Sequence, residues 1–179
     1  MQTDLFPMLA DYNRWMNGKL YDAAAQLPPG EVDRDRGAFF GSIHGTLEHL
    51  VVADTLWLKR FRSHPAGAGL AAIDAIVTPT ALDQRQFGTL AEMRARRDLL
   101  DGLIVAWIGG LAAADLDTPL TYRRFNGEAH TKPVRPTLLH FFNHQTHHRG
   151  QTTTLLTQAG VDVGVTDLLV RVPEVEPKG

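Results

Sequence analysis

The residues best equipped to do chemistry in this chain are its 8 histidines, and they are unevenly spread. One stretch reads His140-Phe141-Phe142-Asn143-His144-Gln145-Thr146-His147-His148-Arg149-Gly150-Gln151. At about 100° per residue in a helix, His140, His144, His147 and His148 share an arc of roughly 100°, and Gln151 lies within it. His144 and His148 stand one turn apart, so both imidazoles can reach a single ion. This i,i+4 pair is the spacing by which a helix offers two nitrogens to zinc. A zinc protease carries Glu directly after the first such histidine; Gln145 holds that place here, which argues against a protease. A lone pair at this spacing is common without metal. Imidazoles gathered on one arc and buried without partners would instead cost about several kcal/mol in desolvated ring nitrogens.

A metal site needs further ligands from another element. The segment from Ser42 to about Arg62 offers His44 and His49, and helical phase separates them. His44 projects with Glu48, Thr55, Lys59 and Arg62, a side expected to face solvent. His49 projects with Val52, Ala53 and Leu56 on the flank of a wide apolar arc, so it is expected to face a neighbouring helix. Asp54 falls in the middle of that arc, between Leu50 and Trp57. A buried carboxylate must find donors. A structural hydrogen bond between helices is the favoured reading, and orientation of a ligand histidine the alternative. His64 and His130 fall in expected loops and read, like His44, as solvated.

The elements that must position these side chains are helices. Leu5, Leu9, Tyr12, Met16, Ala23 and Leu27 form the stripe of a first helix ended by Pro28-Pro29-Gly30. Glu31 to Gly41 reads as a loop that carries Phe39 and Phe40 inward. Ser42 is a good N-cap for the second helix. A long connection, His64 to Thr80, leads to a third helix over Thr89 to Ala113, weakened by Gly109-Gly110. Leu120 to Phe125 and Ala129 to Val134 flank Asn126-Gly127 and predict a tight hairpin. The fourth helix opens at Pro136 and closes at Gly160. The expectation is an all-α four-helix bundle, one domain over residues 1–179, with a small hairpin before the last helix and a loose tail from Pro173.

Composition narrows the function. Lys and Arg number 18 against 20 acids, for a net charge of −2, which disfavours a nucleic-acid binder. With no cysteine, disulfides, cysteine-ligated metal and a cysteine nucleophile are excluded. The apolar run Gly102 to Ala114, between Asp101 and Asp115, is too short to span a bilayer. Met1-Gln2-Thr3-Asp4 lacks a basic leader region, so the expected location is cytoplasmic.

The stretches Gly41 through Trp57 and Asn143-His144-Gln145-Thr146-His147-His148-Arg149-Gly150-Gln151 resemble the DinB-like superfamily. Tyr12-Asn13-Arg14-Trp15 and Gly160-Val161-Asp162 to Thr166-Asp167 fit the same pattern, so the resemblance covers nearly the whole chain. It implies a bundle of the up-down-down-up type, often a homodimer, with a divalent metal held by three histidines. Carried over by position, the ligands are His49, His144 and His148; His147 becomes a neighbour, and His140 a residue that lines the pocket.

Three imidazoles would leave a tetrahedral ion one open position. Nitrogen ligation suits zinc, nickel or copper, with zinc and nickel the main candidates. Metal needs deprotonated imidazoles, so binding is expected to weaken below a ring pKa of about 6.5. Two chemistries follow: hydrolysis by an acidified water, or attack by an external thiol whose pKa the metal lowers. The resemblance favours the second, a thiol S-transferase using a low-molecular-weight thiol and an electrophile. A non-catalytic, metal-binding helical scaffold is the alternative from another class, and an open pocket beside the ion would separate the two. His140 and His147 are candidate bases without an assigned role.

Overall fold

A computed structural model describes residues 5–176. The leader reading at Met1 to Asp4 and the last part of the tail, residues 177–179, lie outside them. Helix α1 (Leu5–Ala24) stops before the proline pair, and turns carry the chain on through Leu27. Helix α2 (Ile43–Arg62) starts at Ser42, whose hydroxyl accepts the Gly45 N–H at 3.0 Å. Helix α3 (Leu90–Gly109) starts at Thr89 with a capping box closed by Glu92. It ends at Gly109 rather than Ala113, because two successive glycines make continuation costly. Helix α4 (Val134–Gln158) begins two residues ahead of Pro136, which still falls in the first turn, where its missing N–H costs nothing. Gly160, at φ 85°, provides the left-handed turn that ends it.

Side-chain pairings fix the directions of the four helices. Phe6 meets Phe142 and Asn13 bonds Arg149, so α1 and α4 run parallel. Asn17 meets Asp101 and Asp22 meets Arg94, so α1 and α3 are antiparallel. Asp54 meets Arg97 and Phe61 meets Trp107, which makes α2 and α3 parallel. His49 meets His148 and Trp57 meets His140, so α2 and α4 are antiparallel. The result is an up-down-down-up four-helix bundle, an all-α fold. A parallel α2–α3 pair requires a long return, and residues 63–89 supply it. Their 3-10 run Pro65–Ala75 packs against both helices and buries Leu70 and Ile73 fully.

Strands β1 (Pro119–Arg123) and β2 (Ala129–Pro133) pair antiparallel before α4. The turn is wider than a two-residue hairpin: Arg123 faces Ala129, and Gly127, at φ 85°, donates to the carbonyl of Arg124. Asn126 caps it by accepting the N–H of Glu128.

The core holds Leu20, Leu47, Leu58, Phe61, Leu100 and Leu156, all fully buried. Met16 and Ala23 of the stripe expected on α1 are buried, but Leu5 is 57% exposed, and Phe6, Ala10, Asn13, Asn17 and Leu20 also face inward. Asn13 and Asn17 explain the difference. They belong to a buried polar network that crosses the bundle, with Asp54 of α2, Arg97 and Asp101 of α3, and Gln145 and Arg149 of α4. No helix among the described residues is long and apolar enough to cross a membrane.

Candidate metal centre

One helical position beside the histidines, α4 turns a polar face inward. Gln145 bonds Asp54, which Arg97 clamps at 2.6 Å, and Arg149 bonds Asn13. Asn13 and Asn17 in turn donate to Asp101 at 3.1 and 3.0 Å. Buried polar groups lose about 1–3 kcal/mol each if unpaired, so this network resists rotation of α4 about its axis. Its neighbours His144 and His148 are therefore aimed at α2. Asp54 serves as the structural link between helices that its position in the apolar arc suggested.

His49, His144 and His148 come together, each offering a ring nitrogen, with all three nitrogens within 4.8 Å of one another. The Nε2 atoms of His49 and His144 lie 3.4 Å apart. Two of the rings are held by their other nitrogen. His49 Nδ1 donates to the carbonyl of Leu82 at 2.9 Å, and His148 Nδ1 donates to Gln151 Oε1 at 2.8 Å. Since an oxygen can only accept there, both protons sit on Nδ1 and the Nε2 lone pairs are left for a metal. Gln151 is itself oriented, its amide donating to His147 Nε2 at 3.3 Å. Burial pushes His49 down to about 4 and His144 to about 3, and lowers His148 as well. Neutral, convergent imidazoles fit a divalent cation, so this cluster could hold a metal ion.

Phe40 stacks on the His49 ring at 3.9 Å and meets His148 edge-on at 5.7 Å. Its placement depends on Gly45, where a Cβ would stand 2.1 Å from the carbonyl oxygen of Phe40. Phe39, expected inward, points out and is 89% exposed, its ring resting on Phe40 alone among the aromatics. The stretch carrying Leu82 is strapped to α2 by Glu48, which accepts the N–H groups of Gln86 and Phe87 and faces Arg85 at 3.3 Å.

The same strap corrects the reading of His44. It is buried, not solvated: Asp33 approaches its Nδ1 at 3.0 Å and Glu48 its Nε2 at 3.8 Å. Helical phase placed it away from the core, but two connecting segments cover that face. His64 is also buried, capping the 3-10 run through Ala66 N–H and meeting Thr118 at 3.0 Å. His130 is half-buried in β2, stacked on Tyr122 at 5.7 Å. None of these three joins the cluster.

On the other side of His49 and His144 a cleft of about 770 Å³ opens, walled further by Trp57, Tyr122, Leu82 and His140. His140 is exposed there, edge-on to Trp57 at 5.3 Å, while His147 stays outside the cleft lining.

The sequence profile of the DinB family matches residues 1–177. The chain belongs to the DinB family. Among curated relatives, Protein DinB of Bacillus subtilis (strain 168) is 27% identical over 160 residues, 89% of this chain and 88% of that protein. No solved structure matches significantly. Family membership agrees with the helical bundle. Two contributors escaped sequence reading. The Leu82 carbonyl carries no side-chain signal, and Gln151 was visible on the histidine arc but had no partner to name.

Proposed function

We propose that this member of the DinB family is a metal-dependent enzyme of the thiol S-transferase type, acting on a low-molecular-weight thiol. The observation that carries the enzymatic reading is the open cleft of about 770 Å³ against His49 and His144. A structural metal in a scaffold would need no such space. The thiol part rests on resemblance to the family and on the absence of cysteine, which requires any sulfur nucleophile to come from outside.

A divalent ion, zinc or nickel, would supply Lewis acidity that lowers the pKa of a nearby thiol. His49, His144 and His148 would hold that ion, with Leu82 and Gln151 fixing two of the rings. Phe40 covers one face of His49 and keeps water from it. His140, the remaining imidazole in the cleft wall, takes the thiol proton. The sulfur then bonds an electrophilic carbon of the second substrate, and the leaving group departs with its electron pair. The family resemblance also supports a homodimer.

Metal analysis of the purified protein comes first, followed by conjugate formation with a panel of thiols and electrophiles. His148→Ala should lose zinc to a competing chelator, whereas His44→Ala should retain it at a cost in stability of about 1–3 kcal/mol, because it strips Glu48 of a buried neighbour. Equal zinc retention by both variants would show the ligands to be misassigned. A metal-loaded protein that conjugates no thiol would refute the transferase reading.

A further inference from the structure

The cleft beside the histidines has a one-signed charge. Arg60, Arg124 and Lys132 line it, and no Asp or Glu does. Several arginines elsewhere find acids: Arg62 pairs with Asp74, Arg94 with Asp22, Arg97 with Asp54 and Arg135 with Asp117. Among the described residues the three cleft cations form no ion pair. Arg60 is the telling one. It is half-buried, and among the described residues its guanidinium's only hydrogen bond runs to the carbonyl of Arg123, at 3.3 Å. Its guanidinium lies over the rings of Trp57 at 4.7 Å and Tyr122 at 5.0 Å, which satisfies its face and leaves donor edges free. A smaller hollow continues from Arg60 across the hairpin, and Lys59, Arg123 and Arg124 line it, again without an acid.

A cation taken partly out of water and left without a counter-charge is costly, so half-buried Arg60, with the exposed Arg124 and Lys132 beside it in the same cleft, calls for an anion. Rings connect this cationic end to the histidines. His144 lies 6.1 Å from His140, His140 lies 5.3 Å from Trp57, and Trp57 carries Arg60. Leu56, Phe125 and Pro136 make the space between largely apolar.

We propose that the cleft binds a small organic carboxylate: an apolar or aromatic body lying along Trp57 and Tyr122, its carboxylate on Arg60, Arg124 and Lys132, and its reactive end at His49 and His144. The planar fork of Arg60 matches a carboxylate in two parallel hydrogen bonds. Hairpin residues Arg124 and Lys132, at the rim, draw the anion in and set its orientation. This deepens the functional reading above, since it makes the carboxylate part of one of the two substrates. The anion site itself is built without the metal.

The test therefore uses metal-free protein. Binding of 4-fluorobenzoate and of its neutral isostere 4-fluorobenzamide is measured by ¹⁹F NMR at fixed ionic strength. The carboxylate should bind about tenfold or more tightly than the amide. Arg60→Met should abolish that preference, and the double variant R124Q/K132Q, altered only at exposed positions, should reduce it several-fold. His148→Ala should keep the preference while losing zinc, which separates the two readings. If the protein holds no zinc yet favours the carboxylate, the metal reading falls and this one stands. Equal binding of the two probes, no binding of either, or a preference unchanged in both cation variants would overturn the proposal.

Discussion

Each ring of the three-histidine cluster is asked to stay neutral in a place where water is scarce, and that has a consequence for pH. Burial holds His49 at about 4 and His144 at about 3 in the folded, metal-free protein, whereas an unfolded chain takes up protons near 6.5. A depressed folded-state pKa contributes stability that is complete above the unfolded value and is lost as pH falls through the folded one. Metal-free protein should therefore lose stability steadily from about pH 6.5 down to about pH 3. Urea midpoints at pH 7, 6 and 5 check this, and His144→Asn should flatten the slope. By the same shift, proton competition for metal in the folded protein sets in lower than the ordinary imidazole range expected from sequence. His49 was legible because its phase on α2 set it beside apolar neighbours. His44 was misread because a helical wheel shows which residues share a face and says nothing of a loop folded over that face. The cleft cations went unremarked for a related reason: Arg60 is far in sequence from Arg124 and Lys132, and only the hairpin's docking brings them together.

Among the elements, α4 does two jobs at once, presenting imidazoles to the cleft and amide and guanidinium groups to the bundle. Its aim depends on α2, and α2 in turn depends on the loop that ends at Ser42. Gly45→Ala tests that dependence. The added Cβ would fall 2.1 Å from a backbone oxygen, so the loop must move and Phe40 must leave the His49 ring. A destabilisation of about 1–3 kcal/mol is expected, together with weaker zinc retention, measured by denaturation and chelator competition. Unchanged values for both would show that Phe40 does not support the ring. Helix starts were legible wherever a cap was written into the chain, as at Ser42 and Thr89. The inward face of α1 was only partly legible, at Met16 and Ala23, because Asn13 and Asn17 break the equation of buried with apolar. Their partners sit on α3 and α4, and no local pattern announces a bond across such a separation. Asn126-Gly127 signalled the turn correctly but not its width, which the pairing of Arg123 with Ala129 decides.

For the molecule as a whole, the proposed homodimer is checked by sedimentation at micromolar concentration, where a purely monomeric species would refute it. The bundle's topology carries a further consequence. His49 and His144 are separated by 95 positions in the chain, yet a shared ion would join them directly. Such an ion acts as a removable staple in a protein that has no cysteine to make a permanent one. A covalent link closing about 100 residues removes roughly 4.7 kcal/mol of disorder from the unfolded chain; coordination reaches toward that figure only while both ends stay attached. The pair on α4 can capture an ion early, but His49 arrives only after α2 and α4 have met, a late, long-range event. Zinc should therefore slow unfolding while leaving the refolding rate nearly untouched, and stopped-flow traces with zinc and with chelator will tell whether the clasp closes last.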